Sequence, residues 1–175
     1  MNIVFLDVDG VLNSWDKMLK HDARKGCDYI YKEYILRLKD LCEKYDLKIV
    51  LSSTWRISDR THKIFEDYMT KYGLIERYIG DTPRSADRTK YGRGKHRRGD
   101  EIHQWMLDCK EGIEAFVILD DGSDMKEYLP HLAQSTLDTG FTEETYKIAC
   151  EVMDIQIQGS KLIEQILPKH KKELY

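Results

Sequence analysis

Residues 3–13, Ile3-Val4-Phe5-Leu6-Asp7-Val8-Asp9-Gly10-Val11-Leu12-Asn13, constrain this chain more than any other stretch. Four apolar residues run unbroken into two carboxylates one residue apart, and a glycine follows at once. An uninterrupted apolar run reads as a strand buried on both faces, as in a parallel sheet. In open α/β sheets, ligands bind at the carboxyl ends of the strands. The two-residue period of a strand would put Asp7 and Asp9 on the same side, so the chain must coil right after Asp7 to part them. Gly10 permits such a bend, because without a Cβ it enters backbone regions closed to other residues. The stretch reads as a site built into the middle of a fold.

At 175 residues the chain fits one domain, and its 41% hydrophobic and 34% charged residues describe a soluble globular protein with a heavily solvated surface. No apolar run approaches the roughly 20 residues that span a bilayer, so no membrane association is expected. The N-terminus opens directly on the first strand, which predicts no signal peptide and a cytoplasmic location. The four cysteines, Cys27, Cys42, Cys109 and Cys150, are scattered without metal-binding spacing and are expected to be reduced thiols.

Along the chain, Asn13 to Asp28 is polar. Tyr29 to Tyr45 reads as a helix, with Ile30, Tyr34, Leu38, Leu41 and Tyr45 at three- and four-residue spacings. Lys48 to Leu51 is a second strand that ends in Ser52-Ser53-Thr54-Trp55-Arg56. Ser58 can cap a helix from about Asp59 to Tyr72, and Gly73 is placed to end it. Tyr78-Ile79 is a short third strand. Residues 84–98 carry Arg84, Arg88, Lys90, Arg93, Lys95, Arg97 and Arg98 against the single acid Asp87, and their glycines predict a loop. A helix follows from about Asp100 to Cys109. Phe116 to Leu119 is a buried strand ending in Asp120-Asp121-Gly122-Ser123-Asp124. A short helix ends near Pro130, Ser135 to Leu137 is an edge strand, and Thr142 opens a helix to about Met153. The tail, 154–175, is predicted to be a separate last helix. Alternating strands and helices give an α/β domain with a mainly parallel sheet.

Three buried strands therefore end in polar chemistry: Asp7/Asp9, Ser52/Ser53, and Asp120/Asp121/Asp124. A parallel sheet gathers these ends on one edge, although they lie more than a hundred positions apart in sequence. Two unit charges about 4 Å apart repel by about 4 kcal/mol at an effective dielectric near 20, so such a cluster calls for a cation. Oxygen ligands without His or Cys favour a hard ion, and Mg²⁺ leaves positions open for phosphate oxygens. Bases in the neighbouring segment suit phosphate. Together these features suggest phosphoryl transfer. An EF-hand is excluded, because Gly10 falls two positions early and Met18 stands where the bidentate Glu belongs. Gly92-Arg93-Gly94-Lys95 lacks the second half of a Walker loop.

The residues then resemble a known superfamily, the haloacid dehalogenase-like phosphohydrolases. Asp7-Val8-Asp9-Gly10-Val11 is similar to their first motif, Ser52 or Ser53 to the second, Lys95 or Arg98 to the third, and Asp120-Asp121 with Asp124 to the fourth. The resemblance covers about residues 1–153. It implies a Rossmann-like three-layer sandwich with a mainly parallel five-stranded sheet and no large cap domain. It also implies roles. Asp7 would accept the phosphoryl group as an aspartyl-phosphate. Asp9 would protonate the leaving oxygen and then activate water, its backbone carbonyl binding Mg²⁺. Ser52 would hydrogen-bond a phosphoryl oxygen, and Lys95 or Arg98 would neutralise developing charge. Asp120 would complete the metal site, with Asp121 and Asp124 near it. Ser53, Arg56 and Gly10 would line the substrate side, Arg56 being read equally well as a phosphate clamp or a salt-bridged structural residue.

A finer resemblance rests on Ser53-Thr54-Trp55-Arg56, Arg98-Gly99-Asp100-Glu101-Ile102 with Trp105, Val117-Ile118-Leu119-Asp120-Asp121, and Thr139-Gly140-Phe141-Thr142. These look like the dehalogenase-like domains of RNA-repair proteins, related to the phosphatase half of polynucleotide kinase-phosphatases. The substrate class implied is a nucleotide or a nucleic-acid terminal phosphate, for which an uncapped site is suited. The basic segment is either a solvated face, as charge runs usually are, or an arm contacting phosphates. Two alternatives stand beside this reading: a non-catalytic nucleic-acid-binding module using that segment, and a sugar-phosphate phosphatase of the same superfamily. Trp55 and Trp105 are expected in the core.

Overall fold

The computed structural model describes residues 1–20, 29–84 and 97–171; Lys95 and most of the basic segment lie outside them. Five strands form one sheet in the order β3-β2-β1-β4-β5, with β1 Asn2–Leu6, β2 Leu47–Leu51, β3 Tyr78–Asp81, β4 Ala115–Asp120 and β5 Leu132–Gln134. Every neighbouring pair is parallel. From β1 the chain steps outward through β2 to β3, then returns to the other side of β1 as β4. The crevice of such a sheet opens where the order reverses, between β1 and β4.

The apolar run of β1 is buried on both faces. Val4 and Leu6 join a core with α2 (Lys32–Tyr45), α3 (Asp59–Lys71) and α5 (Glu143–Lys171). Ile3 and Phe5 face the other way, toward Ile102 of α4 (Arg98–Asp108), and Trp105 of that helix meets Phe5 edge-on with ring centroids 5.4 Å apart. Helices on both faces make the three layers. Because the period is two, Asp7 continues the Ile3–Phe5 side and is delivered beneath α4.

Several boundaries differ from those the sequence predicts. Helix α2 starts at Lys32, not Tyr29, because the Tyr31 N–H is spent on Leu12 O at 2.9 Å and Tyr31 stays extended. The polar stretch after Asn13 contains a short helix, α1 (Trp15–Lys20). Ser58 stands at the N-cap of α3 with extended backbone, yet its side chain makes no capping bond. Gly73, at φ +71°, does end α3. The edge strand is β5 at 132–134 rather than 135–137; Ser135 N makes the last ladder bond, to Asp120 O at 3.0 Å, and its hydroxyl turns inward to bond Gly10 O at 2.6 Å. The last two predicted helices are one. Gln156 pins α5 to Phe116 N and O across β4, and Gly159 sits in open space, a cost in propensity that does not break a helix. Cys42, Cys109 and Cys150 are free thiols. No described helix is long and apolar enough to cross a membrane.

Candidate active site

The ladder runs one residue past the strands. Thr82 N donates to Leu51 O at 3.0 Å, Ser52 N to Leu6 O at 2.7 Å, and Asp7 N to Leu119 O at 2.9 Å. Thr82, Ser52, Asp7 and Asp120 thus stand side by side along the carboxyl edge. All four are buried. The hydroxyls of Ser52 and Thr82 have no hydrogen-bond partner among the described residues, a state that costs roughly 1–3 kcal/mol each until a ligand or water satisfies it.

Carboxylate oxygens of Asp7, Asp120 and Asp121 lie within 4.8 Å of one another. Burial is the main reason the Asp7 carboxyl is pushed up to about 6 from its usual 3.8; Arg98, a Ser53 hydrogen bond and the Val8 N–H oppose the rise. Burial and then repulsion from Asp7 push Asp120 up to about 8, against Arg98 and the Gly122 N–H. Asp121 is raised too, first by burial. An all-oxygen cluster whose members resist ionising together fits a hard divalent cation.

One guanidinium lies across this cluster. Arg98 Nε donates to Asp120 Oδ2 at 3.1 Å, while Nη2 stands 3.6 Å from Asp7 Oδ2 and Nη1 3.5 Å from Glu101 Oε2. Its position follows from the first turn of α4, where Asp124 takes the Arg98 N–H on Oδ2 at 2.8 Å and the Gly99 N–H on its carbonyl at 3.2 Å. These are helix N-terminal donors that lack partners within the helix. Asp124 therefore holds the helix, and its carboxylate stands outside the three-acid cluster. Arg56 donates to Glu101 Oε2 at 2.7 Å and to Ser53 O, with both ionic side chains under a tenth exposed. Those contacts are those of a brace. Arg56 also lines, with Arg84, Arg98 and Thr54, a hollow of about 290 Å³ beside the acids.

The strand ends at Leu6 and the chain coils from Asp7 on, so the Asp9 carboxylate lies outside the three-acid cluster, and Gly10, at φ +72°, closes the turn. Trp55 Nε1 donates to both Asp9 oxygens at 3.1 Å, and Asn13 Nδ2 to Asp9 Oδ1 at 2.7 Å. Asn13 Oδ1 in turn accepts the Gly10 N–H at 3.0 Å. A Cβ on Gly10 would fall 2.8 Å from the Asp121 side chain, so the turn needs glycine on two counts. Of the two serines, Ser53 bonds Asp7, and Ser52 keeps its hydroxyl unengaged. Sequence reasoning missed Asn13, the bond from Trp55 and the brace at Glu101. The Arg98/Glu101 spacing of three on one helix was the only local sign of that brace.

A five-stranded parallel sheet with an aspartate pair after its central strand and acids after the adjacent strand across the switch point defines a haloacid dehalogenase-like domain, a superfamily of hydrolases and phosphatases. Residues 3–146 match the family model described as the HAD domain in Swiss Army Knife RNA repair proteins, and the chain belongs to that family. No curated protein and no solved structure matches the chain.

Proposed function

We propose that the chain is a Mg²⁺-dependent phosphomonoesterase that removes a terminal phosphate from a nucleotide or an RNA end through Asp7. The observation that carries this reading is the Asp7, Asp120 and Asp121 oxygens gathered within 4.8 Å under the guanidinium of Arg98. The family's RNA-repair description supports the choice of substrate class.

Asp7 attacks phosphorus through one carboxylate oxygen, and the bond from phosphorus to the ester oxygen breaks. The leaving oxygen takes the proton of Asp9, giving the free alcohol and an aspartyl-phosphate. Water then attacks that phosphorus, its proton passes to Asp9, and inorganic phosphate leaves with Asp7 restored. Ser52 donates its hydroxyl to a phosphoryl oxygen, and Arg98 balances charge on the oxygens as it builds. Asp7, Asp120 and Asp121 would hold the Mg²⁺, with the Asp9 carbonyl as a further oxygen. Bound there, the ion screens the three carboxylates and polarises a phosphoryl oxygen.

Phosphate release from 3′- and 5′-phosphorylated oligoribonucleotides, mononucleotides and sugar phosphates, with and without EDTA, tests this. Turnover that needs Mg²⁺ and favours nucleotides or RNA ends is expected. Binding of oligonucleotides with no turnover overturns it in favour of a binding module, and a preference for sugar phosphates overturns the substrate class.

Two further results are expected. Trp55→Phe keeps a buried ring and removes the donor that aims Asp9, so kcat falls about tenfold or more with little change in melting temperature. Thermal stabilisation by Mg²⁺ grows with pH. Asp7 and Asp120 have folded-state values raised to about 6 and about 8. Their contribution to metal-free stability is therefore complete below their usual 3.8 and is lost as pH rises through those values. The cation binds the ionised acids, so the shift seen by scanning fluorimetry is small at acid pH, rises through pH 6 and is still growing at pH 8. A shift independent of pH contradicts the assignment of those acids.

A further inference from the structure

Asp9 also forms part of the wall of a second hollow, of about 480 Å³, whose other lining includes Trp15, Met18, Thr54, Trp55 and Leu137. This volume lies within the roughly 300–1,000 Å³ of small-molecule pockets. Its character is unlike that of the charged hollow on the far side of Thr54, where Arg56, Arg84 and Arg98 stand with Glu101 and Asp124. Trp15 is 46% exposed and Leu137 is 42% exposed. An isolated exposed apolar side chain needs no explanation. These two line one cavity, beside the carboxylate that would protonate the leaving group.

The aromatic wall is held in place. Trp15 N donates to Leu137 O at 2.9 Å and Asp16 N to Asp138 O at 3.1 Å, so α1 is tied across to the loop after β5. The Ser14 hydroxyl, at the start of α1, meets the Tyr34 hydroxyl at 3.0 Å. A ring carried on a fixed backbone has only its own two side-chain torsions to lose when another ring stacks on it. The polar side chains on its wall are Asp9 and Asn13, bonded to each other, with Thr54, Ser58 and Thr61. Thr61 Oγ1 is committed to Trp55 O and Ser58 O. Ser58 lines the hollow at the N-cap of α3 and makes no capping bond.

We infer that this hollow receives the nucleobase of the nucleoside that carries the scissile phosphate, stacked on Trp15. The inference rests on the phosphatase reading for the position of the leaving group. Phosphate goes to the arginine side and the acids, the ester oxygen points at Asp9, and whatever is bonded to that oxygen continues into the hollow whose wall Asp9 helps to form. A sugar alone would set its hydroxyls against Met18, Leu137 and two indoles. A base presents a π-face to them and can bring an edge to the Ser58 hydroxyl.

Two measurements test it. The first is calorimetric binding of nucleoside 3′- and 5′-monophosphates to the Asp7→Asn protein, with Trp15→Ala or Trp15→Phe added. Trp15→Ala is expected to weaken binding about tenfold and Trp15→Phe to retain most of it, as stacking requires. The second compares KM in the active protein. Trp15→Ala should raise KM for nucleotides about tenfold, and KM for glycerol 2-phosphate at least several-fold less, with kcat little changed. Nucleotide binding indifferent to Trp15→Ala, or an equal loss for the ringless ester, overturns the inference. Trp15-dependent nucleotide binding by a protein that hydrolyses nothing supports the inference and overturns the phosphatase reading instead.

Discussion

An Asp7→Asn protein is expected to lose phosphatase turnover by about 10⁴-fold or more, the scale set by removing a covalent nucleophile. It should also melt no lower than the parent at pH 8 without divalent cations. The two results belong together. Asn is isosteric with Asp, so the Val8 N–H still has an oxygen to bond, and Arg98 keeps Asp120 and Glu101 as partners. What disappears is a buried negative charge that the site holds against its preference, since burial outweighs Arg98 and pushes the Asp7 carboxyl up to about 6. A raised folded-state value means that stability is complete below the usual 3.8 and is lost as pH rises through 6. The advantage of Asn is therefore on the order of 1–3 kcal/mol at pH 8 and fades toward pH 4. Phosphate release and melting curves across pH 4–8 read both halves. Activity within tenfold of the parent removes Asp7 as the nucleophile. A melting temperature that falls at pH 8 means that Asp7 is a net structural asset.

The second large effect falls on a residue with no side chain. Gly99→Ala is expected to lower the melting temperature by about 3–10 °C and kcat/KM by about a hundredfold. Gly99 lies in the first turn of α4, where a Cβ would sit 2.5 Å from Met125 O and 2.7 Å from its carbonyl carbon. Those are backbone atoms and cannot swing aside, so the helix end must move. Movement loosens the two N–H bonds to Asp124 and draws the Arg98 guanidinium off Asp120. A shift near 1 Å at a catalytic group costs on the order of 10²-fold in rate. Gly112→Ala is the control, because a Cβ there meets nothing within 4 Å, and it should leave both readings unchanged. Activity retained in Gly99→Ala would mean that Arg98 does not act from this position.

The acids were legible because their signal is local. Asp7 and Asp120 each close an apolar run, and a run buried on both faces must end where the sheet meets solvent or ligand. Ser52 was legible for the same reason, but nothing local distinguished it from Ser53. The structure separates them by one step of alternation: Ser52 stands in the row with Asp7, and Ser53 reaches Asp7 by its hydroxyl while its carbonyl accepts from Arg56. Arg56 could be read as clamp or brace until Glu101, forty-five residues away, was found 2.7 Å from it. The start of α2 was misread because a tertiary bond competes with the local rule: Tyr31 gives its N–H to Leu12. The start of α3 falls where Ser58 predicted it, although the hydroxyl makes no capping bond. Trp15 gave no sign at all, because a lone tryptophan in a polar stretch has no periodicity from which to read a face.

Local patterns along the chain pointed to phosphoryl transfer: carboxylates at two strand ends, hydroxyls at another, bases nearby, and a stretch from Asn13 to Asp28 too short for a cap domain. Which of those groups meet is a property of the folded sheet. Strand order puts β4 next to β1 and sets Asp7 beside Asp120, while the coil that follows Asp7 sets Asp9 against Trp55 and Asn13. The reason is physical. Alternation and capping act over a few residues, but the pairing of β1 with β4 spans more than a hundred, and the charges it brings together are costly enough that burial, partner and cation must be settled jointly.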